Sequence, residues 1–190
     1  MGSSTESELS QRIAVLAAQD EQTRSARAER SLEIDSLRQY FPPETIGLVG
    51  GGHESAWFFL EAIGCYLHGF DAAALVCAHA SCERELAGRV NHLGANAPRG
   101  WERWGLGALL QYAVTEGWYT ASSQALLEEV NRKRREFYHF RSEWTADSIV
   151  MRTYQQLPWR GKDGARGDMA QVLRADALQA LRAAFIVRSE

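Results

Sequence analysis

Residues 61–93 read EAIGCYLHGF DAAALVCAHA SCERELAGRV NHL, and the fold follows from how this stretch is punctuated. Up to His68 the apolar residues recur at helical spacing, Gly69 supplies a stop, and Asp71 offers an oxygen to cap the next element. Alanines and other small residues then repeat as far as Leu93, a composition that lets one helix lie close against another. Helices are therefore predicted over 54–68 and 71–93. Working outward, 94–100 reads as a loop, and a third helix over 103–116 ends at Gly117. A fourth helix starts among Thr120, Ser122 and Ser123 and runs to about residue 140. A short helix over 148–156, a loop rich in glycine and charge over 158–167 and a last helix over 168–187 complete the chain. No stretch alternates with the period of a strand, so the prediction is an all-α, up-and-down helical bundle.

Upstream lies a segment of different character. Leu9, Ile13 and Leu16 form a short apolar row and Leu32, Leu37, Tyr40 and Phe41 a second one, while acids and arginines dominate 18–31. Residues 1–44 are expected to be a helical arm or hairpin, partly solvated and separable from the main core, stopped by Pro42 and Pro43. Thr45 to Val49 followed by Gly50, Gly51 and Gly52 has the layout of a dinucleotide-binding start, with Asp71 near the place of the ribose acid. Ser55 occupies the third glycine position and no alternation of strand and helix follows, so 45–53 reads as a flexible glycine-rich linker into a helical domain over 54–190.

Composition narrows the function. An apolar fraction of 45% with 24% charged residues excludes a disordered chain, and a net charge of −3 means that any nucleic acid would be held by a local basic patch. Three cysteines and no charged-then-apolar leader suggest free thiols in a cytoplasmic protein. The apolar stretch 56–80 is interrupted by Glu61, His68 and Asp71 before a membrane could be spanned, so no membrane partner is expected. Cys77, His79 and Cys82 have the wrong spacing to meet on one helix face, and no phosphate-loop, nucleophile-elbow or HExxH pattern occurs. Neither metal nor cofactor is expected. Trp101, Trp104 and Trp118 flank the third helix and could form a groove; otherwise the six tryptophans read as core and interface mass.

The densest charged run is Asn131-Arg132-Lys133-Arg134-Arg135-Glu136-Phe137-Tyr138-His139-Phe140-Arg141. One reading is a solvated basic helix end favoured by the helix dipole. Helical geometry offers a sharper one, because Arg134 falls in an apolar row with Leu126, Val130 and Phe137, where an arginine is costly unless paired or directed into a cleft. A second row holds Glu128, Arg132, Arg135 and His139. Arginines gripping phosphate oxygens beside a histidine that titrates near neutral pH make a chemically competent set without metal.

At these residues the sequence resembles the HEPN superfamily, whose signature is an arginine followed after four to six residues by a histidine late in a helical bundle. Arg134 and Arg132 stand at four and six intervening residues from His139. Residues 61–75, 80–86 and 104–117 resemble the preceding helices of such domains, so the likeness covers about 54–188. It implies a metal-independent endoribonuclease, acting as a toxin or antiviral-defence effector on cellular RNA, with the site formed where two protomers bring their motif helices together. His139 would manage a proton while Arg134 and Arg132 stabilise the phosphorane, with Lys133, Arg135 and Arg141 contacting RNA and Glu83 as a supporting acid or a partner for Arg134. A cognate inhibitor or partner protein fits the same habit. The alternative is a non-catalytic HEPN-like module that binds RNA or protein through the same cluster, and a third reading is an oligomerising helical protein whose arm is its main feature.

Overall fold

The computed structural model describes residues 3–40, 50–138, 148–156 and 161–189, with side chains described for most of them. Among these residues there are seven α-helices and no strand: α1 (Ser3–Leu37), α2 (Gly52–Leu67), α3 (Asp71–His92), α4 (Leu106–Thr115), α5 (Ala121–Tyr138), α6 (Ile149–Gln156) and α7 (Gly161–Ser189). The fold is all-α, with helices packed as in a bundle. Single turns of 3-10 helix over Arg38–Tyr40, Gly94–Asn96 and Trp101–Arg103 fill the connections.

The α2–α3 hairpin follows from its glycine. Gly69 has φ +80°, the Gly69 N–H donates to the Tyr66 carbonyl and the Phe70 N–H to that of Cys65, so the open carbonyls of α2 are satisfied by a left-handed close. Gly117, at φ +68°, ends α4 in the same way. The core is then assembled from small residues: Ala74, Ala78 and Cys82 of α3 lie against an α7 rich in buried alanines, among them Ala177, Ala180 and Ala184. Leu86, Leu109, Leu127 and Leu181 fill the remaining volume.

Three expectations change. Asp71 does not cap α3; the residue before the helix is Phe70, which makes no side-chain cap. Asp71 is instead the first helical residue, where the α3 dipole favours a carboxylate, and it takes both guanidinium nitrogens of Arg30. Arg30 also donates to the Tyr66 carbonyl at 2.9 Å, so a single cation serves the C-terminus of α2 and the N-terminus of α3. Of the loop expected over 158–167, residues 161–167 are instead the first turns of α7, and 158–160 lie outside the described residues.

The third change concerns the arm, which is one continuous helix with two different halves. Every described side chain from Leu9 to Ala26 is exposed, whereas Arg30, Ile34 and Leu37 are buried against the bundle. Its last third is thus part of the core that it was expected to leave alone. Glu33 accepts from the Tyr66 hydroxyl at 2.5 Å and from Arg174 at 2.9 Å, which joins α1, α2 and α7 at one point. Gly64, inside α2, has the opposite character: a Cβ there would meet no atom within 4 Å. Nothing within the chain asks for glycine at that position, although glycine costs roughly 0.5–1 kcal/mol relative to alanine in a helix.

Burial, together with the acceptor Glu33, pushes the Tyr66 phenol up to about 12 from 10.0. The folded chain holds this proton more tightly than the unfolded one, so the contribution is complete below pH 10 and is lost as pH rises towards 12. Chemical denaturation across this range should show stability falling, and Tyr66→Phe should flatten that part of the curve; an unchanged slope would remove Tyr66 as the cause.

Candidate functional site

The basic run lies at the C-terminal end of α5. The buried positions of this helix are Ser123, Leu127, Val130 and Asn131, with Leu126 only half-buried. Their spacing of four, three and one continues to position 134, so the backbone places Arg134 in the register of the buried face, one turn beyond Val130. Arg135 follows it in the helix, whereas His139 and Arg141 lie outside the described residues.

Two cations of the run have defined partners. Arg132 is exposed and forms a two-pronged contact with Glu129, both bonds at 2.8 Å, which holds the Glu129 carboxyl below its ordinary value. Lys133 reaches Asp176 of α7 at 2.8 Å and Gln179 at 2.5 Å. Asp176 is buried and also takes Arg152 of α6 through bonds of 3.0 and 2.6 Å. One buried carboxylate therefore fastens α5, α6 and α7 together, and Lys133, expected to face RNA, serves this junction. Glu83, expected as a supporting acid, accepts the Leu106 N–H at 2.9 Å and so closes the N-terminus of α4.

A site that sequence reasoning missed lies at the start of α2. Glu85, in the middle of α3, is completely buried, and its oxygens accept the N–H groups of Gly50 and Gly51 at 2.6 and 3.2 Å. Ser55 donates to the same carboxylate at 2.9 Å, and Arg188 of α7 donates to Ser55 at 2.7 Å while lying 3.6 Å from Glu85. The carboxylate supplies from outside what the first turn of α2 lacks, its open N–H groups and dipole finding a negative charge. Burial pushes Arg188 below its ordinary value and Glu85 draws it back. Residues 50–53 are therefore not the expected flexible linker: a Cβ at Gly88 would overlap the Gly50 carbonyl, and one at Gly51 would overlap that of Arg84. The signal was present in Gly50, Gly51 and Gly88, since close backbone approach requires glycine on both sides.

Beside this turn is a cleft of about 590 Å³ lined in part by Glu54, Glu83, Arg84, Trp101, Glu102 and Trp104. Trp104 meets Tyr112 in a tilted contact at 5.6 Å and Tyr112 meets Trp118 edge-to-face at 5.6 Å, so two of the expected tryptophans belong to one aromatic cluster, and Trp101 and Trp104 line the cleft. Burial raises the Cys77 thiol and takes Cys82 up to about 12, which leaves both as neutral packing groups at ordinary pH. Among the described residues no three His, Cys, Asp or Glu side chains come together as a metal-binding group, and no helix is long and apolar enough to cross a membrane.

No protein-family model matches the chain, and the searches of curated proteins and of solved structures return no match.

The close approach of the glycine turn to α3 has a direct consequence. Gly88→Ala should detach the turn from Glu85 and lower stability by about 3 kcal/mol or more, since neither backbone can yield and a buried charge loses donors. A variant of unchanged thermal stability would show that the contact is dispensable.

Proposed function

We propose that the chain is a metal-independent endoribonuclease of the HEPN type, acting on cellular RNA as a toxin or antiviral-defence effector. The observation that carries this reading is the register of α5: the buried positions Leu127 and Val130 are followed one turn on by position 134, while Arg132 is exposed beside them. An arginine continuing an apolar row at the end of a bundle helix is best used against an anion in a cleft, here one completed by a second copy. The 2′-hydroxyl of RNA attacks the adjacent phosphorus, the 5′-oxygen leaves, and a cyclic phosphate and a 5′-hydroxyl result. His139 transfers the proton, and Arg134 with Arg132 neutralises charge on the phosphorane.

The non-catalytic reading, in which the same end of α5 binds RNA or a protein, is favoured by one observation. Arg132 and Lys133 already have carboxylate partners in Glu129 and Asp176, which lowers the positive charge available to a substrate. Incubation of the purified chain with total RNA in the presence of chelator, followed by mapping of cut ends, separates the two. Cyclic-phosphate ends are expected, and His139→Ala and Arg134→Ala should each lower cleavage by at least about 100-fold in a folded chain. Full activity in folded His139→Ala, or retention of RNA without any cut, would leave the binding module.

A further inference from the structure

Among the described residues, two apolar faces are left uncovered. On α1, Leu9, Ile13 and Leu16 are 59%, 58% and 63% exposed and lie within about 60° of one another around the helix. On α2, Trp57 and Leu60 are 66% and 64% exposed, and Gly64 completes their row one turn on. Because α1 is continuous from Ser3 to Leu37, Leu16 stands about 21 Å along its axis from Arg30, the first buried residue, and Leu9 about 32 Å. The arm face therefore cannot fold back onto its own bundle without breaking the helix.

We propose that two copies of this chain associate by exchanging arms, with the Leu9, Ile13 and Leu16 face of one copy packed on the Trp57, Leu60 and Gly64 face of the other. Two-fold symmetry repeats the contact. Area decides between this and simpler pairings. With roughly 150–250 Å² for a fully buried aromatic side chain and somewhat less for an aliphatic one, each face offers about 300 Å². Apposing α2 on α2 would bury about 600 Å² in total, well below the roughly 1,200 Å² at which specific interfaces begin, whereas exchange covers all four faces and reaches about that area. Pairing arm with arm is limited for another reason: the next residues of the arm's row are Asp20, Thr23 and Arg27, and Arg27 is bound within its own helix to Asp20 at 2.8 Å. Such a polar stretch ends an apolar seam after two turns.

Gly64 supplies independent support, since a Cβ there meets none of the described residues within 4 Å. A helix laid across α2 at this point comes closest to the backbone where no side chain intervenes. Arg12, beside the arm row, brings a cation towards a face flanked by Glu61, while Glu54 nearby already pairs with Arg84 at 3.5 Å.

The test uses the full chain with a photo-cross-linking phenylalanine analogue at position 13, in an equal mixture of light and nitrogen-15 copies. Mixed-isotope cross-links from position 13 to residues 57–64 are expected. Cross-links confined to one copy, cross-links only to the partner's arm, or a monomeric mass at about 50 μM would each overturn the proposal. Leu60→Asp should abolish the cross-links from position 13 to residues 57–64 of the other copy while the chain stays folded by circular dichroism; cross-links retained in that variant would overturn the proposal, whereas a dimer held only through α5 would not produce them. Gly64→Ala should weaken association at least about tenfold without lowering the melting temperature of the chain. Unchanged or tighter association in that variant would contradict the close approach.

Discussion

A carboxylate with no access to water is buried where α2 begins and α7 ends, and the surrounding chain is arranged to make that tolerable. Glu85 is held by two backbone N–H groups, one hydroxyl and a neighbouring guanidinium, drawn from the glycine turn, α2 and α7. Each of those elements must be in place for the charge to be satisfied, and a buried charge without partners costs several kcal/mol. The network therefore fixes how α2, α3 and α7 meet more than it adds to net stability. Glycines at 50, 51 and 88 are the geometric condition for it.

The same device recurs at two further junctions of the bundle. Arg30 with Asp71 ties the arm to the turn between α2 and α3, and Asp176 with Arg152 and Lys133 ties α6 and the end of α5 to α7. Replacing such pairs with apolar residues can be neutral, whereas removing a single partner is strongly destabilising, so their value lies in register. At the α5 end the register bears on the proposed RNA chemistry. Lys133 is committed to the scaffold, and the turn that carries Arg132 and Arg134 is held in a defined position against α7. The proposed RNA chemistry and the proposed arm exchange use opposite properties of the chain: one needs a rigid basic helix end, the other an exposed helix that its own bundle cannot cover.

Much of this was legible in the sequence. Helical periodicity with Gly69 and Gly117 as stops gave α2, α3 and α4 within a few residues, because a left-handed close needs glycine and little else satisfies it. The Arg134 register could likewise be read from Val130, although the buried row proved to contain Leu127 and Asn131 in place of Leu126. What could not be read was partnership across the fold. Asp71 has the sequence context of a cap, and only the approach of Arg30 from 41 residues away makes it an ion-pair residue. Glu85 looks like any helix-surface glutamate until the glycine turn is brought to it, and glycine runs read as flexible when nothing shows what they pack against.

The central claim is that the glycine turn belongs to the core through Glu85. Amide hydrogen exchange at Gly50 and Gly51 tests it most directly, since both N–H groups lie outside the helical ladder and have no other reason to be protected. Both should exchange as slowly as the middle of α3, and Glu85→Ala should release them. Exchange at the rate of an open loop in the unmodified chain would contradict it.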